Sequence, residues 1–587
     1  MKWLRGLFFV IVLLCAVILA GYLARHELTR IWGGLPAFTH GAGDSFERMV
    51  PMRDGVALFT TIDLPSGGGP FPTVLMRSPY AQIGWLMRDL TCGRFVRYGY
   101  ACVYQDTRGQ GRSEGAWDPG ANPEMADGRA TLAWLTDQDF QDGNIAMVGA
   151  SYLASVQFAA LADGAPPALK TIVPSMVSTD NRGVMYQDGM FRHETYTAWA
   201  SLMRDPDGRG GNPGKDYQKA IRHRPHNEVD TEIFGAPMPW YRGMLAATSP
   251  AADYWQRKDR VKMRTVPQDM TIPVLMIGGW YDVFFGPQFE DWQRLATRSR
   301  SRYIIGPWTH SGGTGDLDTP NAGGGRFQWL QMLPWLDHHL KGASFTGPTG
   351  LSLYVMGGDG DWQQHDEWPI TAASRTFHLS NLDAASTCNG GALAAEAGTG
   401  KAVYTYDPDN PVPTRGGAGM LAAGIPGFGG APRANVEQAG MCEREDVLTF
   451  QSAPLPDGLF ISGQISVTLD VSSSAPDTAF TAKLIEVFAD GRSFNIRDSV
   501  TSLAYRNMSE VPLDYTPGDR VSVTLDVWPI AWRMQPGSRL RLDVSSSDFP
   551  KFHAHTNRAG PWAEQTGADI ATQTVYGGRV DLPVERY

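Results

Sequence analysis

Between residues 71 and 176 the chain alternates short apolar blocks with turns and helix-period stretches. "FPTVLMRSPY", "YGYACVYQD", "NIAMVGAS" and "LKTIVPSM" read as strands. "ADGRATLAWLTDQ" carries Ala130, Leu132, Trp134 and Leu135 on one side of a predicted helix. Strand and helix in alternation predict a parallel sheet with helices on both faces. From about Val177 to Val261 no strand-like run occurs, and "GMFRHETYTAWASLMRD" and "DYQKAIRHR" have helical character. The alternation returns with "IPVLMIGGWYD", a helix in "GPQFEDWQRLATR", "SRYIIGPWTH" and a helix in "FQWLQMLPWLDHHLKG".

After about Gly350 the period changes to two. "LSLYVMG", "RTFHLS", "VLTFQS", "LFISGQISVTLDVSS", "FTAKLIEVFAD" and "SRLRLDVSSS" are β-branched or alternating runs divided by turns, which predicts a β-sandwich. Residues 390–440, rich in Gly, Ala and Pro, read as holding a long loop. The boundaries drawn from these patterns are 1–24 for a signal-anchor or signal peptide and 25–44 for a linker. An α/β unit follows in two parts, 45–176 and 262–349, with a helical cap, 177–261, inserted between them. A β-domain takes 350–587.

The N-terminus differs from the rest. Lys2 and Arg5 precede an uncharged run of eighteen residues, 6–23. At about 1.5 Å per residue it nearly spans a hydrocarbon core of about 30 Å. A membrane anchor and a cleaved signal peptide both fit, and each places the body outside the cytoplasm, tethered in the first case and secreted or periplasmic in the second. In an exported chain cysteines can pair. Cys388 and Cys442 flank the long loop and are expected to form a disulfide, whereas Cys92 and Cys102 read as buried thiols. Net charge is −10, with no basic domain, which excludes nucleic acid as a partner. Neither Cys nor His spacing suggests a metal site, and no cofactor is expected. The oligomeric state is left open.

Chemistry gathers at the strand ends, where parallel sheets place functional groups. "GASYLA" puts Ser151 between a strand and a helix, the form of a nucleophile elbow. Asp282 ends the strand in "VLMIGGWYD", and His310 ends "YIIGPWTH". Ser, Asp, His is the α/β-hydrolase order. A serine hydroxyl needs a base to take its proton, His310, and the base needs an orienting acid, Asp282. The oxyanion of the reaction needs donors. The amide of Tyr152, next after the nucleophile, supplies one, and Tyr80 in "RSPY" is well placed for the second.

"RSPY", "GYACVYQDTRGQGRSEG", "DGNIAMVGASYLA", "GGWYDVF", "IGPWTHSG" and "APDTAFTAKLIEVFADGRSFNIRDS" together resemble the cocaine esterase / glutaryl cephalosporin acylase family, relatives of X-Pro dipeptidyl-peptidases. The resemblance implies an α/β-hydrolase domain, a helical cap and a C-terminal jelly roll. It also implies Ser151, Asp282 and His310 as triad, with the Tyr80 hydroxyl and Tyr152 amide as oxyanion hole. Two positions depart from the pattern. Ala154 stands where the family elbow usually has Gly. Phe284 and Phe285 stand where the related α-amino-acid ester hydrolases carry acids, so apolar or aromatic acyl groups are expected, with Phe284 a pocket wall. The reading is a serine hydrolase that cleaves small-molecule carboxylic esters, with amides as a further substrate class, through an acyl-enzyme. An X-Pro dipeptidyl-peptidase and a non-catalytic surface-binding protein are the alternatives.

Overall fold

The computed structural model describes residues 21–22, 24–119, 122–204, 212–369, 373–420, 428 and 433–585. Most of the apolar run 6–23 lies outside them. Among the described residues no helix is long and apolar enough to cross a membrane.

The α/β unit is built on one twisted sheet. Two antiparallel strands, Ala42–Pro51 and Ala57–Pro65, form its edge. The second pairs with Ala101–Asp106. Beyond it the strands Phe71–Ser78, Gln141–Ala150, Leu169–Ser175, Leu275–Tyr281 and Arg302–Thr309 follow in parallel register. The parallel strands are buried almost throughout, as expected of a sheet covered on both faces. The edge hairpin was not legible as such, because its first strand is exposed and polar.

Four expectations need correction. Residues 25–44 are not merely a linker: residues 24–32 are helical, and Arg25 pairs with Asp89 on the helix Ala81–Phe95 at 2.5 Å. The strand Ala42–Pro51 also begins inside that span. The insertion is not wholly helical, since Tyr186–Gln187 and Met190–Phe191 form a small hairpin across the turn Asp188–Gly189. Asp-Gly there supplies the positive φ that a two-residue hairpin requires. Its last helix, Lys258–Thr265, runs past residue 261. Cys92 and Cys102 are not free thiols but a disulfide joining the helix Ala81–Phe95 to the strand beneath it. Finally, "LSLYVMG" does not open the β-domain. The strand Gly350–Gly357 runs parallel to Arg302–Thr309 and extends the α/β sheet, and only its last two residues, Met356 and Gly357, pair with the β-domain strand Val521–Met534.

The rest of the C-terminal half is a large β-domain. Its strands pair in the path Ser493–Ser502, Ala479–Val487, Arg539–Ser545, Leu448–Ser452, Gly391–Ala394, Ala373–Ser380, Ala571–Val584, Leu459–Ser473 and Val521–Met534. Gly391–Ala394 and Ala402–Tyr406 fall in the segment read as loop; they are too short for a period to register. Cys388 and Cys442 are joined. The cores of the two halves are continuous, with Met147, Trp280, Leu353, Leu484 and Leu582 in one packed cluster. Arg497, buried in the β-domain, donates to the carbonyls of Trp280 and Pro529 and lies over the rings of Trp280 and Phe285. The β-domain thus braces the turn that carries Asp282.

Candidate active site

Ser151 sits between the strand Gln141–Ala150 and the helix Tyr152–Ala160, with φ 59° and ψ −125°. A non-glycine residue in that region stores strain, and surrounding bonds must hold it. Its amide donates to Ser175 on the next strand at 2.9 Å, and its carbonyl accepts from Ala154 and Ser155. Gly149 makes the bend possible: a Cβ there would lie 2.5 Å from that of Leu153. Ala154 is fully buried and fits between helix and strand, so the departure from the family pattern is absorbed by packing. The turn puts the Tyr152 amide at the first position of the helix, where amides have no intrahelical acceptor.

Asp282 is fully buried and accepts from the amide of Phe284 at 2.9 Å. Both its oxygens face Nδ1 of His310, at 3.2 and 3.3 Å. A carboxylate on Nδ1 fixes the tautomer that leaves Nε2 free to accept a proton. The two residues end adjacent parallel strands, so the sheet itself sets their spacing.

Tyr80 caps the helix Ala81–Phe95, directly after Pro79, with its amide on Ser78 Oγ at 3.2 Å. Its side chain lies beside Ser151 and beside Trp199 of the inserted helix His193–Met203, in one pocket. Burial raises the phenol's pKa, and the polar side-chain groups of Ser151 and Trp199 offset part of the rise. The group therefore keeps its proton at neutral pH and stays a donor. The Tyr152 ring is held from behind: its hydroxyl donates to Glu124 at 2.8 Å and accepts from Trp117 at 3.2 Å. Glu124 pairs with Arg77 at 3.1 Å, and both are buried. Burial pushes the Glu124 carboxyl up, against the pull of Arg77.

Tyr80, Ser151, Tyr152 and Phe284 line one pocket, together with Trp199, Tyr196, Met185, Met244 and Arg260. Phe284 also lies against His310, ring centres 5.3 Å apart. The pocket brings Tyr80, Ser151, Tyr152 and Phe284 together, and the Phe284 ring joins it to the His310–Asp282 pair. Trp199, Glu124, Arg77 and Arg260 were not anticipated. The first lies on an inserted helix whose placement the sequence pattern leaves open; the others are charged residues that a pattern assigns to the surface.

A strained serine after a parallel strand, with a buried Asp–His pair on the two strand ends beyond it, defines a serine hydrolase of the α/β-hydrolase type. Residues 54–312 match the X-Pro dipeptidyl-peptidase (S15 family), and residues 344–579 match the X-Pro dipeptidyl-peptidase C-terminal non-catalytic domain. The chain is 32% identical to cocaine esterase of Rhodococcus sp. (strain MB1 Bresler) over 556 residues, covering 89% of this chain and 94% of that one. It belongs to this family. Solved structures agree on the fold. An aminopeptidase from the marine sediment archaeon Thaumarchaeota archaeon superposes with TM-score 0.78 at 24% identity, covering 94% of this chain and 98% of the other. An α-amino acid ester hydrolase gives 0.76 at 24%, with the same coverage.

Proposed function

We propose that the protein hydrolyses carboxylic esters through an acyl-enzyme on Ser151. Ser151 Oγ attacks the substrate carbonyl as His310 Nε2 takes its proton. The Tyr80 hydroxyl and Tyr152 amide hold the oxyanion. His310 returns the proton to the departing alcohol, then takes one from the water that releases the acid. Asp282 keeps the imidazole oriented and stabilises its cation. The single observation that carries this reading is the strained Ser151 in one pocket with Tyr80, with the buried Asp282 on His310 Nδ1 at 3.2 Å on the strand ends beyond it. Phe284, beside His310, forms the wall against the acyl group.

Ester cleavage, rather than release of X-Pro dipeptides, is favoured by the pocket's charge. A free amino terminus needs a carboxylate, and the one charged side chain among the described lining residues is Arg260, a cation. The two disulfides, with the apolar run 6–23, support export to an oxidising compartment and a tether to the membrane by the N-terminal segment.

A fluorophosphonate probe tests the hydrolase reading directly, with the adduct expected on the Ser151 peptide. p-Nitrophenyl esters set against X-Pro-p-nitroanilides decide the substrate class. An unlabelled Ser151 in folded protein would return the chain to the surface-binding alternative.

A further inference from the structure

Arg260 is an anomaly in a pocket whose other described lining residues are uncharged. It lies on the helix Lys258–Thr265 and is only 3% exposed. None of its three guanidinium nitrogens has a hydrogen-bond partner among the described residues. The nearby carboxylates of Asp259 and Asp118 are engaged by Arg257, at 2.9 and 3.9 Å, and among the described residues no carboxylate lies within ion-pair distance of Arg260. What holds the side chain is aromatic: the guanidinium carbon is 4.1 Å from the Tyr254 ring centre and 5.5 Å from that of Trp255.

Ring faces stabilise a cation but accept none of the in-plane N–H groups. A buried guanidinium without an acceptor is costly, and an apolar residue of the same volume would serve a purely structural role better. No described residue supplies the missing acceptor, which points to a ligand. The open side is the pocket that Arg260 shares with Ser151. A guanidinium fork fits a carboxylate with two parallel hydrogen bonds.

We propose that Arg260 is a specificity residue that binds a carboxylate carried by the substrate, so that the enzyme prefers esters with a free acid group to their neutral counterparts. This rests on the reading of Ser151 as nucleophile, which places the substrate in this pocket. The carboxylate can stand on the acyl part or on the alcohol part, and two pairs of esters separate these. p-Nitrophenyl hydrogen adipate against p-nitrophenyl hexanoate tests the acyl side. 4-Acetoxybenzoate against its methyl ester tests the alcohol side.

In one of the pairs the native enzyme is expected to favour the acid in kcat/KM. That ratio should fall at least tenfold in Arg260→Met and recover in part in Arg260→Lys, which keeps the charge without the fork. Calorimetry on the full-length Ser151→Ala protein reads binding apart from turnover. Monomethyl adipate or 4-acetoxybenzoate should bind more tightly than its neutral ester, and the difference should vanish when Arg260→Met is added. If Arg260→Met does not fold, the native ratio, the Arg260→Lys ratio and the Ser151→Ala calorimetry still decide. A native enzyme indifferent to the acid in both pairs, or a ratio unmoved by Arg260→Met, overturns the proposal. Should no ester turn over and Ser151 stay unlabelled, the hydrolase reading fails on its own, and calorimetry alone then rules on Arg260.

Discussion

The backbone of Phe284 serves Asp282 while its ring serves His310: the amide donates to the carboxylate at 2.9 Å, and the ring centre is 5.3 Å from the imidazole. One residue thus ties the orienting acid to the pocket wall. Phe284→Ala keeps the amide and removes only the wall. We expect kcat/KM on p-nitrophenyl benzoate to fall about tenfold, within the range for losing apolar contact with a substrate, and the acetate ester to lose much less. An equal loss on both esters would show that the ring acts through His310 instead.

Ser151→Ala, His310→Ala and Asp282→Asn should each remove most turnover, by roughly 10⁴-fold or more, with melting temperature nearly unchanged. Because the three act as a unit, Ser151→Ala with His310→Ala should lose little beyond the worse single change. Stopped assays on protein purified away from host esterases measure this. Near-native hydrolysis by Ser151→Ala would end the assignment.

Tyr80→Phe deletes the hydroxyl and leaves the ring packed. An oxyanion donor acts in the transition state, so kcat should drop roughly 10²–10³-fold with KM little changed. A raised KM at constant kcat would make Tyr80 a substrate-binding residue and send the search for the second donor to the amides beside it.

Asp188, in the turn of the inserted hairpin, is pushed up to about 7 by burial, with Arg182 opposing and Asp526 adding to the rise. In the unfolded chain the same carboxyl titrates near 3.8. The native state therefore holds a proton that the unfolded chain has released, and stability falls as pH rises from about 4 to 7. Asp188→Asn removes this titration and keeps a residue suited to positive φ. Its gain in urea midpoint should grow between pH 4 and 7 and level off above. A gain independent of pH would exclude the ionisation as its source.

Both disulfides should appear in a non-reducing peptide map. Closing 54 residues between Cys388 and Cys442 is worth about 4 kcal/mol on chain-entropy grounds, and closing 10 between Cys92 and Cys102 about 3 kcal/mol. Removing the first pair should thus lower the denaturation midpoint more. Alkylation of Cys92 and Cys102 without reduction would restore the reading as thiols.

The strand-and-helix alternation was legible because buried parallel strands are continuous apolar runs, and Ser151, Asp282 and His310 were legible because each follows such a run. Cys92 and Cys102 were misread because the pattern gives no measure of the distance between a helix and the strand beneath it. Arg260 was invisible for the opposite reason: a charged residue on a short, polar stretch such as "KDRVKMRT" reads as surface, and only the fold turns it inward.

The strand Gly350–Gly357 begins in one sheet and ends in the other. The two family segments meet near it in sequence but cannot be parted there in space. A chain cut at residue 349 would leave Arg302–Thr309 as a bare edge and strip Arg497 from beneath the Asp282 turn. The catalytic half should therefore not be expressible as a smaller, portable esterase, and heating should melt both halves in a single transition.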